Sequence, residues 1–266
     1  MPDVPGPLAE FIVEEIRRRR NSTGQTQEAF GKAAGFSASH VSAVESRTRA
    51  LTMDFVRGAD RAFDNGGMYE RLVARLGAPE WFRPWLEAEQ LATQLRCFEP
   101  NLIPGLLQTP DYARAVLRLD ARLSDEGLDR LVAMRIDRQV VLSKEAAPQL
   151  IAVIDESAIR RIGAGYEKIM VEQLTHLLTL AERPHISVHI IPSDVVLHAG
   201  LSGPLSLARL ADLTWVGHLE HQLGGVVVDR PGDLDTLMER WESVRNEALP
   251  RRQSLDLIKE VVKPWI

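Results

Sequence analysis

Apolar positions along this chain keep a helical rhythm in its first part and then alternate between helical and strand-like spacing. Over residues 8–20, Leu8, Phe11, Ile12 and Ile16 recur at helical intervals, so LAEFIVEEIRRRR is expected to form a helix. Residues 26–46 read as two short helices joined by a tight turn. Thr26 and Ser37 are placed to cap them, and Gly35 to end the first in a left-handed conformation. Phe30 and Ala34 share one face of the first helix, Val41 and Val44 share one face of the second, and Phe36 can plug the angle between. Thr52 can cap a fourth helix that buries Phe55, Ala59 and Phe63, after which Asn65-Gly66-Gly67 reads as a stop.

Residues 68–97 return to helical spacing, with an interruption near Gly77-Ala78-Pro79. Residues 98–117 are punctuated by Pro100, Pro104, Gly105 and Pro110, and end in a helix that Thr109 can cap. An amphipathic helix is expected over 120–141, with Leu128, Leu131, Met134 and Ile136 among charges. An apolar strand over 150–154 ends at Asp155, which can cap a short helix; a longer helix over 166–182 follows. HISVHIIP at 185–192 alternates as a strand, and shorter strands are expected near 205–210, 213–219 and 225–228. Beyond a turn at 229–232, helices are expected over 233–247 and 253–263. The pattern gives a mainly α protein with a small, mostly antiparallel sheet (α+β). A compact helical domain, residues 1–66, precedes a larger α+β domain, residues 68–266.

The second short helix has an unusual outer side. Ser39, Ser42, Ala43 and Ser46, with Ala38 on the edge, are all small. A helix that buries valines and presents Ala and Ser suits close approach to another surface, such as a DNA major groove. An ordinary helical hairpin inside a larger core is the alternative. The run Thr26-Gln27-Glu28, Phe30, Gly35-Phe36-Ser37, Val41-Ser42, Val44-Glu45 resembles the helix-turn-helix of Xre-type regulators, the lambda-repressor/Cro superfamily. Ala34 stands where that family usually has Leu, and Arg47 where a Gly often follows the Glu. The resemblance implies a lambda-repressor-like domain whose helix Ala38–Ser46 enters the major groove of double-stranded DNA. Ser39 and Ser42 would then bond base edges, and Ala38 and Ala43 would meet thymine methyls. Gln27 would contact a phosphate, and Arg47 and Arg49 would grip the backbone. One such helix covers a half-site, so a homodimer on an approximate palindrome is expected.

A second resemblance covers most of the remaining chain. Pro104-Gly105-Leu106-Leu107-Gln108-Thr109, followed by Tyr112 and Ala113, resembles a signature of the actinobacterial WhiJ-like regulators. In these an Xre-type helix-turn-helix precedes a large domain of unknown function. The likeness continues through DESAIRR at 155–161, the 173–182 helix, SVHIIP at 187–192, HAGLSGP at 198–204 and ALPRRQSLDLI at 248–258. It implies a transcriptional regulator, commonly encoded beside a small partner protein, with some members antitoxin-like. A regulator needs an input, and Pro104, Gly105, Leu106, Leu107, Gln108 and Tyr112 are the candidate partner- or ligand-binding residues, as a surface or a pocket wall. The competing reading is that Pro and Gly simply shape a corner.

Composition changes this picture little. Hydrophobic residues make 45% and charged residues 26% of 266, an ordinary globular balance. The net charge of −5 argues at first against nucleic acid, but between Glu15 and Ala50 seven basic residues face three acids, and local basicity governs phosphate contact. The single cysteine, Cys97, excludes a disulfide within the chain and reads as a packed small hydrophobe. No apolar run is long enough to span a membrane and no signal pattern opens the chain, so a cytoplasmic, nucleoid-associated protein is expected.

Candidate chemistry is thin. Trp81, Phe82 and Trp85 cluster as a core or inter-domain anchor, or less plainly as a ligand cage. His185 and His189 share a strand face, but four residues along a strand span about 13 Å, too far for one metal. His218 and His221 flank Glu220, and His198 sits in a glycine-containing loop, without the further ligands zinc needs. The nucleophile-elbow and phosphate-loop patterns are missing. No metal, cofactor or catalytic residue is expected, and an enzyme in the second domain is the lesser alternative.

Overall fold

The computed structural model describes residues 6–77, 82–121, 123–163 and 165–265. Two compact units make up the chain, the first from residues 1–80 and 120–134, the second from 81–119 and 135–266. The expectations that concerned residues 1–5, the Leu8 side chain, the break at Ala78-Pro79 and the place of Trp81 lie outside the described residues.

The first unit holds α1 (Gly6–Ser22), α2 (Gln27–Ala34), α3 (Ala38–Glu45), α4 (Met53–Phe63) and α5 (Met68–Gly77). Its core joins Ile12, Val13 and Ile16 of α1 to Phe30, Val41, Val44, Phe55 and Val56. Phe11, expected inside, is 51% exposed, and the buried stripe of α1 runs through Val13 instead. Thr26, Ser37 and Thr52 cap their helices through bonds to the backbone N–H of Ala29, His40 and Phe55. Gly35 ends α2 at φ 86°, a left-handed value that glycine adopts without a Cβ clash.

Where α2 meets α4 the backbones almost touch. A Cβ on Gly58 would lie 2.5 Å from the Ala34 carbonyl oxygen and 2.9 Å from the Phe36 ring. Ala34 is itself buried, so the small residue in place of the usual Leu matches a close crossing.

The expected stop at residues 65–67 is a turn inside the unit. The buried Asp60 carboxylate accepts the N–H groups of Tyr69 and Glu70, each at 2.9 Å, and so caps α5 from within α4. Tyr69 and Val73 then join the same core. The helical unit therefore extends past residue 66: Gly66 and Gly67, at φ 65° and 78°, turn the chain, and the buried Asp60 carboxylate holds the next helix against the same core.

The second unit contains α6 (Arg83–Leu91), β1 (Gln94–Glu99), α7 (Pro110–Leu117), the end of α8 (Asp125–Arg138), β2 (Gln149–Asp155), α9 (Glu156–Ile159) and α10 (Glu167–Leu180). It continues with β3 (Ile186–Ile191), β4 (Leu205–Arg209), β5 (Trp215–His221), β6 (Gly224–Val228), α11 (Pro231–Asn246) and α12 (Arg251–Val262). The strands form one sheet in the order β3-β2-β1-β4-β5-β6. β3, β2 and β1 run parallel, whereas β4, β5 and β6 pair antiparallel. The sheet is thus mixed: three of its five pairings are antiparallel, the majority expected, and two differ in being parallel. The difference comes from β1, whose residues continue the helical spacing of α6 and were expected to be helix. β1 reaches β2, and β2 reaches β3, only through helical crossovers, which make parallel pairs.

Both faces of the sheet are covered. In β2, Leu150, Ala152 and Ile154 face a core with Leu174 and Leu177 of α10 and Ile258 of α12. Val153 faces the other way, onto Leu237, Trp241 and Val244 of α11.

Candidate functional site

α3 is fixed from below and bare above. Val41 and Val44 are buried, whereas Ala38, Ser39, Ser42 and Ser46 are exposed and Ala43 is half-buried. The Ala-Ser side therefore faces solvent and not the core of its own unit. Ser39 Oγ lies 3.0 Å from the capping Ser37 Oγ. Ser46 Oγ donates to the Ala43 carbonyl at 3.3 Å, which ties down the C-terminal end. Ser42 is the exposed hydroxyl at the centre of that face.

The end of α3 is locked by a buried carboxylate. Glu45 accepts two bonds from the Arg20 guanidinium, at 2.7 and 2.8 Å, a bidentate pair with both side chains at most 10% exposed. The remaining Arg20 nitrogen donates to the Gln25 carbonyl at 2.7 Å, so one arginine holds α1, the loop and α3 together. Gln27 Nε2 also donates to Glu45, at 2.8 Å. Burial alone would push the Glu45 carboxyl up, but the bonds from Arg20 and Gln27 outweigh it and hold the group below the ordinary range. Gln27 is thus committed inward, and what α2 offers outward is the unpaired N–H groups of its first turn.

The two arginines of the connector differ. Arg47 adopts φ 62°, left-handed for a residue with a Cβ, at the position where the Xre pattern often has Gly. Its half-exposed guanidinium reaches Glu10 at 3.3 Å and Glu14 at 3.7 Å on α1. Arg49 donates to His40 Nδ1 at 2.8 Å. Because arginine only donates, that imidazole accepts at Nδ1 and carries its proton on Nε2. Burial, then the Arg49 charge, holds the His40 pKa below its ordinary value. The ring stacks on Phe55 with centroids 5.8 Å apart. His40 was not singled out in the sequence, although its place one residue before Val41 puts it at the edge of the buried face.

Most of the candidate binding residues between Pro104 and Tyr112 are buried in the second unit, while Pro110 and Asp111 of the same stretch are exposed. Leu107 is fully buried and Leu106, Gln108 and Tyr112 nearly so. Gln108 Nε2 donates back to the Ile103 carbonyl at 2.7 Å, and the Tyr112 hydroxyl accepts from Ile103 N at 3.2 Å. Gln173 of α10 bonds both Leu107 O (2.8 Å) and Thr109 N (2.7 Å), and Gln139 donates to the carbonyls of Gly105 and Gln108. The hexapeptide is a loop wired at nearly every polar group. Pro104, Gly105, Leu106 and Gln108 form one wall of a cavity of about 240 Å³.

Charged groups line the rest of that cavity. Glu89 and Arg138 make a bidentate pair at 2.9 and 2.7 Å, with Arg138 over the Phe82 ring. His218 lies against Trp85, centroids 5.2 Å apart, and burial, then Arg138, pushes its pKa down to about 4. Phe82 and Trp85 therefore pack around a neutral histidine. Arg135 donates to Gln108 Oε1 at 3.1 Å. Burial, with Glu220 next, pushes the Glu99 carboxyl up to about 8. Glu89, Glu99, Arg135 and Arg138 were not singled out in the sequence. Once β1 is seen as a strand, its alternation puts Leu95, Cys97 and Glu99 on the cavity side. Burial pushes the Cys97 thiol up, so it is a poor nucleophile.

The other histidines are scattered. His185 Nε2 lies 3.0 Å from Leu142 O, His189 lies between Ser187 Oγ and Leu249 O, and His198 is 3.4 Å from Asp155. Among the described residues no three metal-ligating side chains converge, and no helix is long and apolar enough to cross a membrane.

Residues 12–80 match the family model of a helix-turn-helix domain. No curated protein and no solved structure matches the chain. Residues 82–260 match the model of a domain of unknown function, DUF5753, and with that match spanning more than half its length the chain belongs to the DUF5753 family, here with a helix-turn-helix domain ahead of it.

Proposed function

We propose that the protein is a transcriptional regulator of the Xre type that binds double-stranded DNA through α3, as a homodimer on an approximate palindrome. The observation that carries this reading is the exposed Ala38-Ser39-Ser42-Ser46 face on a helix whose end is clamped by Glu45 and Arg20. Small side chains let a helix backbone approach base edges closely, and Ser42 and Ser39 can bond either donors or acceptors there. With no Arg, Asn or Gln on that face, readout leans on phosphates and DNA shape. Arg49, and Arg47 once released from Glu10 and Glu14, are the backbone grips. The second unit, which resembles that of the WhiJ-like regulators, is the input domain and carries no catalysis, and the protein acts in the cytoplasm, on the nucleoid.

The test is footprinting or gel shift on the promoter of the protein's own gene. Ser42→Arg, which puts a long side chain on the reading face, and Arg49→Ala should each weaken binding about tenfold or more. Full binding by both variants would overturn the docking.

A second reading, an antitoxin-like protein acting mainly through a small partner protein, is favoured by one observation. Val196, Leu197 and Leu201 are 75%, 82% and 58% exposed on the segment between β3 and β4. Three such residues within one loop suit a protein contact. Pull-down with the product of the adjacent gene, repeated with Leu197→Asp, separates the two. Capture that survives the substitution would exclude this loop as the contact.

A further inference from the structure

We infer that the cavity beneath the Pro104–Gln108 loop is a binding site for a small zwitterion, a molecule carrying both a carboxylate and an ammonium group, with Arg135 taking the carboxylate and Glu99, helped by Glu220, taking the ammonium. The inference deepens the reading of the second unit as an input domain and rests on it only for its regulatory meaning. Three observations support it.

The first is the register of the sheet. Cys97 of β1 pairs with Ser206 of β4, and Ser206 with His218 of β5. All three line the cavity, so its floor is a row of side chains across three strands. Glu99 and Glu220 stand two residues further along their strands, on the same face. They bring two carboxylates to one end of the floor, on strands about 10 Å apart, with β4 between them.

The second is that the opposite charges here do not use each other. Glu89 is consumed by Arg138. Among the described residues Arg135 donates only to the neutral amide oxygen of Gln108. Among the described residues no hydrogen bond or ion pair reaches the Glu99 carboxyl, although Arg135 and Glu99 line the same cavity. Arg135 thus carries its charge against a neutral amide and Glu99 stands unbonded beside it, and a ligand with a carboxylate and an ammonium would supply a counter-ion to the first and a partner to the second. Burial pushes Glu99 up to about 8, so its carboxyl holds a proton near neutrality that an arriving ammonium would displace.

The third is size. About 240 Å³ is below the ~300–1,000 Å³ of pockets for drug-sized ligands. It suits an amino acid or a short ω-amino acid. Tight wiring of the loop by Gln108, Gln139 and Gln173 gives the site a preformed wall.

The test uses the full chain. Thermal shift and titration calorimetry are run with the twenty α-amino acids, β-alanine and γ-aminobutyrate. Matched alkyl carboxylates and alkylamines, which carry one charge each, are the controls. At least one zwitterion should raise Tm by several degrees, with the single-charge controls giving under half that shift. Glu99→Gln and Arg135→Met should each weaken binding about tenfold or more. Glu220→Gln, on a half-exposed side chain, should weaken it less and provides a variant that folds if Arg135→Met does not. Calorimetry in buffers of different ionisation heat should show release of close to one proton per ligand at pH 7, lost in Glu99→Gln. No shift with any zwitterion, equal shifts with acids or amines alone, or binding indifferent to Glu99 and Arg135 would each overturn the assignment. DNA binding is measured separately, so a failed operator shift with intact zwitterion binding would sink the regulator and leave the cavity site standing.

Discussion

Glu45 sits at the last turn of α3, and its carboxylate decides whether that helix has a fixed end. Removing it leaves the Arg20 charge buried with only the Gln25 carbonyl for company. Glu45→Ala should therefore cost about 3–5 kcal/mol at pH 7, measured by urea denaturation, whereas replacing Arg20 and Glu45 together by Met should recover most of it. The linkage has a definite sign. Because the folded pKa lies below the unfolded one, the Glu45 contribution is complete above about pH 4.5 and fades as pH falls through the lower, folded value. The gap between native protein and Glu45→Ala should narrow there, and a gap constant down to pH 2 would contradict the assignment. Arg47 presents the reverse case. Its φ of 62° costs about 1 kcal/mol for a residue with a Cβ, and its surface pairs with Glu10 and Glu14 return little. Arg47→Gly should leave Tm unchanged or raised by a few degrees while weakening DNA binding. A lower Tm would mean that the ion pairs outweigh the strain.

At the scale of elements, the α2–α4 crossing sets the angle at which α3 is carried. Gly58→Ala would push a methyl to 2.5 Å from the Ala34 carbonyl and into the Phe36 ring. Backbone atoms cannot swing aside as a flexible side chain can, so the helices must separate, at a cost of about 1–3 kcal/mol or more. A Tm within one degree of the native value would show that the crossing is looser than the structure has it. Much of this unit was legible in the sequence because its signals are local. Thr26, Ser37 and Thr52 cap from their own position, Gly35 is forced by its dihedral, and Val41 and Val44 repeat at helical spacing. What was not legible depends on distant partners. Asp60 looks like any surface acid until α5 folds back over it, and Gln27 looks like a phosphate ligand until Glu45 is buried beside it. In the second unit β1 was hidden because Leu91 and Leu95 are four apart and continue the helical spacing of α6. Leu91 proves 69% exposed and Leu95 turns into the sheet. Losing β1 hid Glu99, and with it the cavity, even though the Pro104–Gln108 wall stood out in the sequence.

For the whole molecule the open question is how a chain of net charge −5 holds DNA. Charges separated by more than the Debye length, about 8 Å at physiological ionic strength, barely feel each other. What counts is which side chains stand at the phosphates, and in the first unit Arg17, Arg18, Arg19, Lys32 and Arg49 are exposed. Each phosphate neutralised releases condensed counterions and steepens the fall of log K with log salt by about 0.9. Operator affinity measured from low to moderate salt should thus give a clearly negative slope for the full chain, despite its acidity. Arg49→Ala should reduce the magnitude of that slope by about one unit. Glu239→Gln, an exposed change on α11, should leave it alone. A flat salt dependence, or an equal response to both substitutions, would mean that whole-chain charge and not the local arginines governs association. The α3 face would then have to hold DNA through base contacts that two serines and two alanines are ill-equipped to make.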